Sequence, residues 1–150
     1  MQEDRGKQVI DIFDTGSGKY TTRPAAAEIT IRQLLSHTSG IGYAFTDPVL
    51  AKITGSIEAS LDLPLIHDPG TRWSYSQSTK VLGYLVEEMS GQPLDEYLQA
   101  NILDPLQMTD TFYSVPSDKV NRVVSSHRKS EGKLLELPNP QVLEREVSGG

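Results

Sequence analysis

The chain has 150 residues, a formal net charge of −6 and no cysteine. The length suits one domain, and a chain of this size buries about 68–70% of the surface its unfolded form exposes. The acidic balance repels phosphate backbones and anionic surfaces, which argues against nucleic acid as a partner. The lack of cysteine removes disulfides, zinc–thiolate sites and a thiol nucleophile, and leaves the compartment open.

Residues 1–28 are polar and turn-rich and read as a loop-rich lead-in, with Asp14-Thr15-Gly16-Ser17-Gly18-Lys19 as a loop. A phosphate-binding P-loop needs a glycine five residues before its Gly-Lys pair and Ser or Thr after the lysine. Phe13 and Tyr20 stand at those places, so the match fails. Thr30 and Gln33 then fit a capping box, with Ile29 and Leu34 as the hydrophobic staple around it, and the helix should stop near His37. Asp47-Pro48 reads as the cap and first residue of a second helix, with Val49, Leu50, Ile53 and Ile57 on one face and Gly55 weakening it.

After the loop Asp68-Pro69-Gly70, the spacing of Val81, Leu82, Leu85, Val86 and Met89 predicts a helix starting near Ser78, with Gly91 as its C′ residue. Another helix is expected from Pro93, carrying Leu94, Tyr97, Leu98 and Ile102, and ending before Pro105. Strand-like runs follow at 111–115, 120–125 and 133–137, with Ser130-Glu131-Gly132 placed to turn the last two into a hairpin. No apolar run approaches the ~18–20 residues of a membrane span, and the charged start does not read as a signal peptide.

Candidate chemistry is sparse outside one segment. His37, His67 and His127 lie far apart in no metal-binding spacing, so no metal site and no cofactor are expected. There is no G-x-S-x-G nucleophile elbow. The pattern S-x-x-K sets an amine one helical turn from a hydroxyl, where it can accept the proton. Ser126 with Lys129, and Ser130 with Lys133, match it formally but fall in a strand-and-turn region, where chance explains them better. His37-Thr38-Ser39-Gly40 reads as a structural turn ending a helix rather than as a Ser–His pair.

The segment Pro69-Gly70-Thr71-Arg72-Trp73-Ser74-Tyr75-Ser76-Gln77 resembles the P-G-x-x-(F/W)-x-Y-S-N stretch of class C serine β-lactamases and their relatives, the D-alanyl-D-alanine carboxypeptidases and β-lactamase-like esterases. Two more pieces agree in the family's order. Residues 29–41, ITIRQLLSHTSGI, resemble its "ITIRxLLxHTSGL" segment. Pro105-Leu106-Gln107-Met108-Thr109-Asp110-Thr111 resembles its "PLGMxxT" segment, with Gln107 in place of glycine. Ser148-Gly149-Gly150 resembles the start of a glycine-rich turn that follows.

The resemblance implies a mainly α fold with a small β appendage (α+β), the helical subdomain of the β-lactamase/transpeptidase-like fold, as a single internal fragment over 1–150. It implies a parent serine hydrolase acting through an acyl-enzyme on a small ester or amide substrate. Tyr75 would be the catalytic residue, shuttling a proton between the serine hydroxyl and the leaving group. A phenol, ordinarily ionising near pH ~10, serves as a base only beside a cation, in this family the lysine of S-x-x-K. Gln77 would be the substrate-binding residue, where the penicillin-active members carry Asn. Glutamine is one methylene longer and displaces the amide, which favours an ester substrate over an amide; a merely capping or packing role is the plain alternative. The serine, the lysine and the late K-T-G-like motif would lie outside the chain with the missing α/β subdomain. The fragment alone would then be inert, and its uncovered face prone to self-association. A true β-lactamase or carboxypeptidase, and a non-catalytic binding or scaffold domain of the same fold, are the alternatives.

Overall fold

A computed structural model describes residues 7–54 and 63–137. These fall into two compact units, divided between Met89 and Ser90, where length alone suggested one.

The first unit opens with strand β1 (Gln8–Phe13) and strand β2 (Tyr20–Pro24), an antiparallel hairpin whose register shifts between Ile10 and Ile12. The expected loop is its turn, but the lead-in around it is strand rather than loop. Asp14 closes the turn by accepting from the Gly16 N–H at 2.9 Å and the Ser17 hydroxyl at 2.5 Å. Too little alternation of polar and apolar residues hid the strands. Val9 is buried while Ile12 is largely exposed, so only part of the hairpin carries an apolar face.

Helix α1 (Ile31–Leu35) starts as its sequence dictates: the Thr30 hydroxyl accepts from the Gln33 N–H, and the Gln33 side chain accepts from the Thr30 N–H. Leu34 is buried and Ile29 packs on the same cluster, so the staple holds. Helix α2 (Pro48–Thr54) is capped by the Asp47 carboxylate, which accepts from the N–H groups of Val49 and Leu50. Gly55 and Ile57 lie outside the described residues. Leu50 is buried, and a Cβ on Gly42 would lie 2.1 Å from its Cδ1, so glycine is what lets that loop approach.

Helix α3 (Ser78–Ser90) follows the predicted periodicity. Val81, Leu82 and Leu85 pack against the core of Val9, Leu34, Ile41 and Leu65, whereas Met89, one turn further, is exposed. Leu65 joins the hairpin by two backbone bonds, Ile10 N–H to its carbonyl at 2.9 Å and its own N–H to Gln8 at 2.7 Å. Hairpin, α1, the 65–74 loop and α3 thus converge on one small core.

The second unit contains helix α4 (Leu94–Leu98), which runs on into a π-helical turn (Gln99–Leu103) before Pro105. Pro93 caps α4 from outside, and Gly91, at φ +69°, ends α3 as expected. The strand-like run 111–115 forms no strand, and Ser117–Arg122 is a 3₁₀ helix where 120–125 suggested strand. On this turn Lys119 and Arg122, three residues apart, both reach Asp110, each at 2.8 Å. They hold the Asp110 carboxyl well below the usual carboxylate range. The hairpin is instead β3 (His127–Ser130) with β4 (Lys133–Glu136), turned by Glu131 and Gly132 as predicted but begun later. Among the described residues no helix is long and apolar enough to cross a membrane.

Candidate active site

The site is built where two distant stretches of sequence meet. Helix α1 ends in a left-handed turn in which the His37 N–H bonds the Leu34 carbonyl at 3.2 Å and the Thr38 N–H bonds Gln33 at 2.8 Å. This is the Schellman pattern, with His37 at the C′ position at φ 53°, where glycine is the usual occupant. The helix-ending role read from the sequence is therefore correct.

The turn then pairs with the 65–74 loop through three backbone bonds. Gly40 accepts from Ile66 at 2.9 Å, Thr38 from Gly70 at 2.7 Å, His37 from Ser74 at 2.8 Å, and Leu65 completes the link to β1. Gly40, at φ +85°, is required twice over: a Cβ there would sit 2.2 Å from the His67 carbonyl oxygen. Asp68 fixes the loop from the other side. It takes a two-pronged bond from Arg23 of β2, at 3.0 and 2.5 Å, and the Ala26 N–H at 2.9 Å. These donors lower its carboxyl to about 2, the Arg23 guanidinium being the chief cause.

Held in this way, the loop delivers Tyr75 to the entrance of α3. Its ring lies 4.9 Å from the His37 ring, tilted at 39°, and 6.3 Å from Tyr43 in near-parallel stacking. Trp73 meets His37 edge-on at 6.3 Å, and Phe45 meets Tyr43 at 4.3 Å. Tyr75 keeps 47% of its surface exposed, so its phenol is anchored by rings yet open to a reacting group. Gln77 sits differently. Its carbonyl accepts from Lys80 and Val81 to start α3, and the residue is only 7% exposed.

Behind Tyr75 runs a buried chain of hydroxyls. His37 Nδ1 is 3.2 Å from Ser76 Oγ, which is 2.7 Å from Ser78 Oγ, which is 2.8 Å from Ser39 Oγ. Ser39 accepts the Ile41 N–H, and Ser76 accepts the Ser78 N–H, each at 3.2 Å. All three serines are almost fully inaccessible. The sequence reading singled out Tyr75 and Gln77 but missed Tyr43 and this serine chain, and gave His37 only its turn. The one legible signal was a histidine at a C′ position that glycine fills at no steric cost.

Neither S-x-x-K match has the helical geometry of a serine–lysine pair. Lys129 lies in β3 just after Ser126, while Ser130 and Lys133 face each other across the β3–β4 turn. Neither serine opens a helix that would set its lysine one turn away. Among the described residues no group of three His, Asp or Glu stands together to hold a metal.

The sequence model of the Beta-lactamase family matches residues 8–150. The chain belongs to that family. Among its relatives, the monacolin J acid methylbutanoyltransferase of Aspergillus terreus is 34% identical over 140 residues, 84% of this chain and 34% of that protein. The lovastatin esterase of Penicillium rubens is 35% identical over 124 residues, 74% of this chain and 31% of its own length. In three dimensions, the LovD6 mutant of the simvastatin synthase LovD of Aspergillus terreus superposes with a TM-score of 0.81 at 32% identity, covering 96% of this chain and 37% of that one. The chain therefore spans about a third of the length of these β-lactamase-family relatives and shares their fold.

Proposed function

We propose that this chain is the tyrosine-bearing part of a serine enzyme that moves acyl groups through an acyl-enzyme, acting on small ester substrates. The observation that carries the reading is Tyr75 itself, a half-exposed phenol fixed by the rings of His37 and Tyr43 at the start of α3. A proton-transferring group needs this combination of fixed position and open access. Two of the relatives named above, one a methylbutanoyltransferase and one an esterase, support the same class of chemistry. Neither S-x-x-K match in the chain has helical geometry, so the nucleophilic serine and its lysine are proposed to lie outside these residues, on the α/β part of the parent. Alone, residues 1–150 should turn over neither nitrocefin nor p-nitrophenyl acetate above background.

Full-length protein mixed with p-nitrophenyl acetate should release a burst of p-nitrophenol and gain one acetyl group on a serine, read by intact mass. Tyr75→Phe keeps the ring contacts and deletes the one atom that can move a proton, so kcat should fall by roughly 10²–10⁴ while the fold survives. Full activity in Tyr75→Phe would remove the tyrosine from the mechanism. Absence of any acyl adduct on the wild-type protein would favour the binding or scaffold alternative.

Gln77 is proposed as the amide that meets the substrate next to Tyr75. Gln77→Asn should raise turnover of amide substrates such as nitrocefin relative to esters, because the shorter side chain draws the amide back toward α3. An unchanged ratio would leave Gln77 the capping role its backbone already has. The uncovered apolar side chains Ile31, Leu35, Phe45 and Trp73, all more than half exposed, support self-association of the isolated chain. Sedimentation of a clean monomer at all concentrations would refute that.

A further inference from the structure

The serine chain behind Tyr75 has only one direction in which every hydroxyl proton is used. Ser39 already accepts the Ile41 N–H, and its own hydroxyl has one acceptor among the described residues, Ser78 Oγ at 2.8 Å. Ser39 is wholly inaccessible, so water cannot serve instead. If Ser39 donates to Ser78, then Ser78 donates to Ser76, and Ser76, which also accepts the Ser78 N–H, donates to His37 Nδ1. The reverse direction would leave the Ser39 proton buried without an acceptor, which is costly. The chain therefore presents His37 with a donor, and the imidazole must carry its proton on Nε2.

A second observation points to His37 by a separate route. It holds φ 53° at the C′ position of α1, a conformation disfavoured for a residue with a Cβ. Such residues persist where the side chain is needed, and this one lies 4.9 Å from the Tyr75 ring. We propose that His37 is a positioning residue for Tyr75: the Ser39–Ser78–Ser76 chain fixes its tautomer and ring orientation, and the ring in turn holds the phenol in its reactive pose. This rests on the reading of Tyr75 as the proton-transferring group.

The test uses the full-length protein. Selective ¹⁵N-histidine NMR of the wild type should show His37 with an unprotonated, hydrogen-bonded Nδ1 and a protonated Nε2. Ser39→Ala, which touches neither ring, should release the direction of the chain and shift His37 toward a mixture of tautomers. His37→Gly suits the left-handed backbone, though it strips Ser76 of its acceptor, and it should lower kcat by roughly 10–100-fold with little change in KM, the usual effect of a displaced reacting group. His37→Asn also suits that backbone and keeps an acceptor for Ser76, so it guards against a folding failure, and it should lower kcat likewise. On a Tyr75→Phe background neither variant should cost anything further, because His37 acts through the phenol.

A protonated Nδ1 in the wild type, full kcat in His37→Asn, or additive losses in the double variants would each overturn the proposal. Were Tyr75→Phe itself fully active, the functional reading would fail, while the NMR result would still decide the direction of the serine chain.

Discussion

In the first unit Val9, Leu34, Ile41, Leu50 and Leu65 are all nearly inaccessible, whereas among the described residues of the second only Leu94 and Leu103 are buried, and Val124 is 82% and Leu134 71% exposed. The two stretches do not differ much in apolar content; they differ in what ties their pieces together. Residues 7–89 join a hairpin, two short helices, a loop and α3 through long-range backbone bonds and one central core. Residues 90–137 rest on local order: a helical run, a 3₁₀ turn clamped by Asp110, and a two-stranded ribbon that buries neither face. Such a ribbon is marginal in isolation. Chemistry follows the contrast, for the candidate site lies wholly in the unit able to hold a phenol and its ring partners in fixed positions.

Substitutions can break this comparison. Leu65→Ala removes the residue that welds the loop to β1 and should cost roughly 2–5 kcal/mol, read by denaturant unfolding. A loss under about 1 kcal/mol would mean that the first unit has no tight core. Gly40→Ala should destabilise by at least the ~1–2 kcal/mol of a left-handed alanine, with the clash on the His67 carbonyl added. Disorder at Tyr75 should accompany it, visible as faster exchange of the Ser76 and Ser78 amides.

Acid should act on the first unit through Asp68. Its folded carboxyl lies near 2, below the unfolded 3.8, so its contribution to stability is complete above about pH 4 and is lost as pH falls toward 2. Arg23→Gln should flatten that part of the stability–pH curve; an unchanged curve would show that the pair does not anchor the loop. The smallest effect is expected in the second unit. Leu134→Ala should change stability by no more than about 0.5 kcal/mol, since the side chain is already in water. A larger loss would mean that β4 is covered, and the contrast between the units would narrow.

What the sequence determined by itself was local. Thr30 with Gln33, Asp47 with Pro48, the apolar spacing of α3, Gly91 and the Glu131-Gly132 turn each specify structure within a few residues, because caps and turns are hydrogen bonds between near neighbours. The candidacy of Tyr75 was legible for a different reason, as one letter of a motif met in order with two others. Where local signals were weak the reading failed: β1 and β2 looked like loop, because half-exposed strands carry little alternation, and 120–125 looked like strand where Ser117–Arg122 is a 3₁₀ turn. Only the tertiary structure decided that His37, Tyr43 and Tyr75 meet, and that three serines from two segments form a single buried chain. Those contacts join residues some forty positions apart, and no periodicity or cap reaches so far. They exist because Gly40, Gly70 and the Arg23–Asp68 pair let two loops come together, and that approach is a property of the packed core.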